Sequence, residues 1–176
     1  NHKFYTLSGW TRLDELKDNM RIALPRLIPI TNNKVEISDN EIILLAHLLG
    51  DGCVLPRQPI HYTSADKYNL DIVGKCAFEL FKINSRLIRQ KNWWHLYLPS
   101  PYRLSRGNKH PITKWFKELN ISSVRSYDKR IPDIFFTLSN EKIRLFLHHL
   151  WATDGNISWK KIENRMPSAS IYYSST

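Results

Sequence analysis

The chain has 176 residues, of which 42% are hydrophobic, so its composition is that of a folded globular protein and excludes a disordered one. Lysine and arginine number 26 against 16 aspartate and glutamate, and the resulting net charge of +10 favours a polyanionic partner. Two cysteines outside any Cys-x-x-Cys pattern exclude a disulfide or zinc framework, and the lack of a long apolar run predicts a soluble, cytoplasmic chain without a membrane span.

Residues 1–30 have the pattern of a β-rich module. HKFYTL is typical of a strand, which a Ser8-Gly9 turn separates from RIALPRLIPI, where prolines interrupt the strand pattern. The polar stretch that follows carries Asn32-Asn33 and predicts a linker over residues 31–40.

A helix signal follows this linker. Ser38 stands three residues before Glu41, which is the spacing of a capping box, directly ahead of the apolar run IILLAHLL. The pattern predicts a helix from about Asp39 to Asp51. Gly52 ends it, because glycine readily adopts the left-handed conformation that commonly follows a helix.

The middle of the chain alternates strand and helix patterns. Two short β-like runs, CVL and PIHYTS, precede a helical pattern from Asp66 to Phe81. A hairpin-like pair, SRLIRQ and WWHLYLP, is joined across Lys91-Asn92, and the basic helix ITKWFKELN comes next.

A second apolar helix, NEKIRLFLHHLWATDG, is capped by Ser139 and ends at Gly155, and the strand-like runs NISWKK and SASIYYSS follow it. The order helix, strand, strand therefore occurs twice and predicts an internal repeat. The first repeat, with its basic region, is expected over residues 41–130. The second is expected over 131–176 and is incomplete, because it lacks the later helix and hairpin of the first.

Residues 82–130 contain twelve basic side chains and two acidic ones, so this third of the chain holds the entire positive excess. A basic run of this kind is often only a solvated surface. Aromatic residues are interleaved with it here, among them Trp93, Trp94, Tyr97 and Trp115, and this combination favours a surface that lies along DNA phosphates.

Asp51 and Asp154 are the unusual residues of the two apolar helices. An aspartate at a helix C-terminus meets the negative end of the helix dipole, at a cost of about 0.3–1 kcal/mol. A Mg²⁺ ion held between both carboxylates would remove this cost and their mutual repulsion. The two helix ends must then approach closely, which small residues such as Ala46 and Gly50 favour and the bulkier His149 does not.

The remaining histidines give no metal cluster in the sequence. His148 and His149 are adjacent, so on a helix they point about 100° apart and do not readily share an ion. His47 is expected in the helix interface or on its flank, and His61, His95 and His110 are isolated in the sequence.

The segments LLAHLLGDG and LHHLWATDG resemble the two motif copies of the LAGLIDADG homing endonucleases, in the divergent form found in inteins. The resemblance implies the α+β fold of that family, with pseudo-twofold αββαββα repeats, paired motif helices and a saddle of sheets over the DNA. It also implies catalytic, metal-binding carboxylates at Asp51 and Asp154, carbonyl ligands at Gly50 and Thr153, and Mg²⁺ as the metal, with Mn²⁺ expected to substitute.

Two further segments extend the resemblance. DKRIPDIFF resembles an intein motif that supplies an active-site cation, and this implies a catalytic role for Lys129. The opening segment resembles part of an intein splicing (Hint) domain, in which His2 would assist splicing. The whole is most like inteins of cyanobacterial-type replicative DNA helicases. Asn1 and Thr176 are not the terminal residues that splicing needs, so the chain is expected to need the remainder of the intein or a complementary fragment.

The resemblance implies a site-specific, metal-dependent double-strand cut at the intein-free host gene, over a long asymmetric DNA site. The alternatives are a DNA-binding module of the same fold that does not cleave and, as a third reading, an RNA-binding maturase. The candidate DNA-binding residues are Arg57, Gln58, His61, Arg86, Arg89, Gln90, Lys91, Arg103, Arg106, Lys109, Arg130 and Lys160.

Overall fold

The computed structural model describes residues 2–24, 36–121, 125, 128–161 and 166–174. The chain divides into two compact units, Asn1–Ile30 and Thr31–Thr176. Residues 31–35 of the expected linker lie outside the described residues, and its last two residues, Asp39 and Asn40, already belong to a helix.

The first unit contains a β-hairpin formed by β1 (Lys3–Thr6) and β2 (Gly9–Arg12), followed by a short 3-10 helix (Leu13–Glu15). Gly9 closes the turn at a φ of 99°, which glycine adopts without steric cost. The expected first strand and turn are therefore confirmed. Of the run RIALPRLIPI, only Ile22 pairs, in a single bridge to Thr6, and residues 25–30 lie outside the described residues.

The second unit is a mixture of helices and antiparallel strands. Its elements are α1 (Asp39–Gly50), β3 (Gly52–Cys53), β4 (His61–Ser64), α2 (Lys67–Phe81), β5 (Arg86–Arg89), β6 (Trp94–Tyr97), α3 (Pro111–Glu118), a 3-10 helix (Asp133–Thr137), α4 (Asn140–Asp154), β7 (Gly155–Lys160) and β8 (Ser168–Tyr173). None of the described helices is both long and apolar enough to cross a membrane.

The helix boundaries follow the local capping chemistry. Ser38 and Glu41 form the expected capping box of α1, and the Ser139 side chain accepts a hydrogen bond from the Lys142 backbone N–H at the start of α4. Asp66 caps α2 in the same way through the backbone N–H of Tyr68. Each cap satisfies a backbone donor that the first turn of a helix leaves unpaired.

Helix α1 forms the centre of the hydrophobic core. Ile42, Leu44, Leu45 and Leu48 are completely buried, because α1 packs against α4 and also against α2. A helix that is apolar on so many sides must lie between other elements.

A four-stranded antiparallel sheet covers one part of this core, in the order β3-β4-β6-β5. Tyr62 on β4 pairs with Leu96 on β6, and both side chains are buried on the face toward the helices. Since alternate residues of a strand point to opposite faces, His61, Thr63, His95 and Tyr97 lie on the other face. Strands β7 and β8 form a separate two-stranded hairpin after α4.

Candidate nucleic-acid interface and carboxylate cleft

Helices α1 and α4 run in parallel, in contact along their length. At their first turns the Lys142 ammonium forms a salt bridge with the Asp39 carboxylate. At their last turns, a Cβ atom placed on Gly50 would lie only 2.1 Å from Thr153 Oγ1, so only glycine fits there. The expected close approach of the two helix ends is therefore present, and it depends on Gly50.

A buried hydrogen-bonded chain joins the same two helices to the sheet. The Nε2 atom of His47 on α1 lies 3.1 Å from the Nδ1 atom of His149 on α4. The Nδ1 atom of His47 lies 3.0 Å from the hydroxyl oxygen of Tyr62 on β4. His47 is 0% exposed and His149 is 4% exposed. His149, which looked too bulky for a close interface, thus fits because it is paired with His47.

Burial determines the protonation state of the two histidines in this hydrogen-bonded chain. It lowers the pKa of His47 to about 4, with a smaller contribution from His149 and then from His148. Burial, followed by the neighbouring His148, also lowers the pKa of His149. Both buried rings are therefore neutral at pH 7, which allows one ring nitrogen to donate to the other.

Asp51 and Asp154 lie at the ends of these helices and line one open cleft of about 470 Å³. Their positions are held by the backbone: the Thr63 N–H donates to the Asp51 carbonyl, and the Ser174 N–H donates to the Asp154 carbonyl. Burial, and then the charge of Asp154, raises the pKa of the Asp51 carboxyl, while Lys129 opposes the rise. Two carboxylates thus share a cleft next to two negative helix ends.

Lys129 enters this cleft, but its ammonium group is bound to the protein backbone. Its Nζ donates to the carbonyl oxygens of Leu48, Gly50 and Gly52 at 3.1, 3.1 and 2.8 Å. These three bonds use all the donors of an ammonium group. Two of them satisfy carbonyls in the last turn of α1, and the third binds the carbonyl of Gly52 at the start of β3. The contacts make Lys129 a cap of helix α1, whereas its sequence motif had indicated a cation aimed at a phosphate.

The donor set of the cleft fits a hard divalent cation. Two carboxylates are the ligands that Mg²⁺ commonly takes from a protein, with water or phosphate oxygens completing the octahedron. The expected ligand Gly50 offers a carbonyl that already accepts from Lys129, and Thr153 lies against Gly50. Within the described part of the chain no group of three or more His, Cys, Asp or Glu side chains could hold a metal, so Asp51 and Asp154 would act as a pair.

The outer face of the four-stranded sheet is mainly polar and aromatic, with Ile88 as an apolar residue beside His95. His61, Tyr97 and Arg86 lie in one row across three strands, and Thr63 and His95 lie in the next row. The His61 and His95 ring centroids are 4.9 Å apart, and the Arg86 guanidinium stacks 5.6 Å from the centre of the Tyr97 ring. We call this set the sheet face.

The sheet face corrects two expectations. His61 and His95 looked isolated in the sequence, but strand pairing brings them into contact. Arg89 does not lie beside Arg86 on this face, because a strand turns side chains three residues apart to opposite faces. His95 and Thr63 were missed as candidates, and Tyr97 was noted only among the aromatic residues of the basic region, although the alternation in WHLY would have placed His95 and Tyr97 together.

The other candidate residues are distributed along exposed segments of the second unit. Those with exposed side chains outside the sheet face are Arg57, Gln58, Gln90, Lys91, Arg103, Arg106, Lys109, Arg130 and Lys160. Arg130 also lines the carboxylate cleft and donates to the Asn120 carbonyl at 3.1 Å. His2 is exposed and belongs to the first unit.

No protein-family model matches the chain. Curated proteins are similar to it over its whole length: replicative DNA helicase DnaB of Synechocystis is 40% identical over 178 aligned residues, that of Nostoc is 39% identical, and that of Rhodothermus marinus is 38% identical. The match covers all of this chain but only 20%, 20% and 19% of those proteins, respectively. The chain thus spans about one fifth of the length of the curated relatives it matches.

These relatives confirm the expected link to a replicative DNA helicase, and they overturn the predicted function. All three are named as DNA helicases, whereas the motifs had predicted a DNA endonuclease. The catalytic roles expected for Asp51, Asp154 and Lys129 in cutting DNA lose their basis with that prediction. The geometry of the carboxylate cleft and of the sheet face does not depend on that prediction.

Proposed function

We propose that this chain is a DNA-binding segment of a longer protein related to replicative DNA helicases. The observation that carries the proposal is the sheet face, where the partly exposed His61 and Tyr97 and the exposed Arg86 form one row without a carboxylate. Aromatic rings and a guanidinium arranged in this way can contact base edges and phosphates of a duplex. We also propose that the protein is soluble and cytoplasmic.

The basic surface around the sheet face supports binding to the DNA backbone. Twelve basic residues lie between Lys82 and Arg130, and none of them forms a salt bridge among the described residues, whose ion pairs join Arg12 to Asp14 and Lys142 to Asp39. Lys129 is the exception among them, because its ammonium group is bound to three backbone carbonyls. The other cations, without an ion-pair partner, are available to phosphates, and each phosphate contact releases bound counterions.

The finer proposal concerns the origin of the segment. Its motifs resemble the LAGLIDADG repeats of inteins, and we propose that the chain is an insertion of that kind, with the paired-helix α+β fold and with residues 1–30 contributing to a splicing domain. The parallel contact of α1 and α4 supports this proposal, as does the match to one fifth of the helicase length. The rest of the longer protein that contains this insertion would then be the partner of the segment.

We also propose a divalent cation, Mg²⁺ or Mn²⁺, in the carboxylate cleft. Asp51 and Asp154 would hold it, and when bound it would offset their repulsion and attract a DNA phosphate. The raised pKa of Asp51 supports the proposal, because it reports a carboxylate whose charge lacks sufficient compensation in the protein alone.

The experiment that tests DNA binding compares two arginines on the same strand. Arg86 lies on the sheet face and Arg89 lies on the opposite face, yet both are exposed and carry the same charge. Binding of a fluorescein-labelled duplex is measured by anisotropy over a range of salt concentrations. We expect Arg86→Gln to weaken binding about three- to tenfold and to reduce the salt slope by about 1, while Arg89→Gln changes affinity by less than about twofold.

Three results would contradict the proposal. Equal effects of the two substitutions would show that the sheet face is not the contact surface, and no duplex binding by the unchanged chain would remove DNA as the partner. Supercoiled plasmid incubated with the chain and Mg²⁺ should stay intact, so nicked or linear plasmid would contradict binding without cleavage.

A further inference from the structure

A groove of about 860 Å³ lies at one end of the four-stranded sheet, where the segment after β3 faces the segment that leads from β6 to α3. Its volume falls within the roughly 300–1,000 Å³ that small-molecule sites occupy. Leu104, which is 53% exposed, and the exposed prolines Pro56 and Pro99 give the groove an apolar floor. The groove therefore offers both the size and the apolar surface that a heterocyclic ring requires.

The charged side chains that line the groove are all positive. Arg57, Arg86 and Lys109 line it, and its lining includes no aspartate or glutamate. None of these three cations forms a salt bridge within the described ranges of the chain. A concave surface with several uncompensated cations concentrates anions.

Arg86 is held in a defined position by a ring contact, and Arg57 has an unusual backbone conformation. Arg57 has a φ of 62°, in the left-handed region that non-glycine residues rarely adopt and that tends to occur at binding sites. Arg86 stacks on Tyr97, whose ring also lines the groove. The amide side chains of Gln58 and Asn84 are part of the lining as well and offer hydrogen bonds to a planar heterocycle.

We infer that this groove binds one nucleoside phosphate unit, with its base on the apolar floor and its phosphate among Arg57, Arg86 and Lys109. The inference deepens the proposed function, on which it rests, because an unpaired nucleotide of a bound DNA strand would supply this unit. A free nucleotide has the same chemistry. The sheet face contacts a duplex from outside, whereas the groove can accept a base only when that base is unpaired.

The test uses three labelled DNAs of matched sequence: a perfect duplex, the same duplex with one unpaired thymidine, and the single strand. We expect the duplex with the unpaired thymidine to bind about tenfold more tightly than the perfect duplex, since stacking of a base contributes strongly to affinity. Arg57→Gln and Tyr97→Leu should remove this preference. Lys75→Gln, which removes one exposed cation from α2 outside the groove, should leave it unchanged.

The outcomes distinguish the inference about the groove from the proposed function of DNA binding. Tight duplex binding without any preference for the unpaired thymidine would overturn the inference and leave the proposed function intact. Failure to bind any of the three DNAs would overturn the proposed function. Competition by free thymidine monophosphate or ATP, abolished in Arg57→Gln, would support the groove with a free nucleotide as the source. Arg57 is exposed, so its substitution tests the groove even if Tyr97→Leu impairs folding.

Discussion

Gly50 and Thr153 are the residues through which helices α1 and α4 meet at their C-terminal ends. A Cβ atom on Gly50 would lie 2.1, 2.5 and 2.7 Å from three side-chain atoms of Thr153, one of which is its Cβ. The Thr153 side chain cannot move its own Cβ aside by changing rotamer, so the close approach requires glycine at position 50. This contact fixes how near Asp51 and Asp154 come to each other.

Gly50→Ala should therefore destabilise the second unit. We expect a loss of about 1–3 kcal/mol in the free energy of unfolding, as for other overpacked interfaces, measured by urea denaturation. Gly107→Ala is the matched control, because no atom lies within 4 Å of the Cβ position there. Adding Thr153→Gly should recover part of the loss in a double-mutant cycle, and strictly additive effects would contradict the contact.

Substitution of Lys129 should lower stability. Lys129→Gln removes the ammonium group that satisfies two carbonyls at the end of α1 and one at the start of β3, and we expect a cost of about 2 kcal/mol in urea denaturation. Arg130→Gln removes one exposed hydrogen bond and should cost clearly less. If Lys129→Gln instead weakened DNA binding with unchanged stability, its ammonium group would be bound to phosphate and not to the helix.

The buried histidines should make the fold sensitive to acid. The pKa of His47 is lowered from 6.5 in the unfolded chain to about 4 in the folded chain, so below pH 6.5 the unfolded state binds a proton that the folded state does not. Stability is complete above pH 6.5 and falls as the pH is lowered toward 4, by at most about 1.4 kcal/mol per pH unit for this group.

His47→Gln tests this dependence, because glutamine can still form hydrogen bonds with Tyr62 and His149 but does not titrate. We expect its unfolding free energy to fall less steeply between pH 6.5 and 4.5 than that of the unchanged chain. His149 retains a part of the slope, since burial lowers its pKa as well. The same substitution at exposed His2 is the control, and a slope unchanged in His47→Gln would refute the assignment.

A divalent cation should reverse the effect of one substitution in the carboxylate cleft. Without metal, Asp51→Asn is expected to raise the melting temperature, because it removes a charge that burial and Asp154 disfavour. With Mg²⁺ at about ten times its Kd, the unchanged chain should gain about 1.4 kcal/mol, and the variant should gain little. Asp128→Asn is the exposed control. Equal Mg²⁺ effects in all three proteins would exclude the pair as a site.

Local chemistry allowed much of the fold to be predicted from the sequence. The caps at Ser38, Asp66 and Ser139 act on backbone groups a few residues away, so the starts of α1, α2 and α4 could be predicted from their own segments. The hairpin of β5 and β6 was similarly marked by its turn at Lys91-Asn92 and by alternation. The nearness of Asp51 and Asp154 could also be inferred, because the dipole cost of each made sense only in the presence of the other.

Contacts between distant segments could not be predicted in the same way. Lys129 binds carbonyls 77, 79 and 81 residues away, and backbone carbonyls carry no sequence signal. The pairing of His47 with His149 depends on the rotation of two helices about their axes. The face of Arg89 depends on strand register, in which a shift of one residue reverses every side chain.

Trp151 stands one helical turn before Asp154, and its ring lies 5.3 Å from Tyr173, which lines the carboxylate cleft. The exposed indole is thus an intrinsic fluorescence reporter of the cleft. Of the six tryptophans in the chain, this one should respond when a cation or a phosphate arrives beside Asp154, and the spectrum of Trp151→Phe isolates its signal from the other five. Occupancy of the cleft can then be followed in real time without attaching any label to the protein.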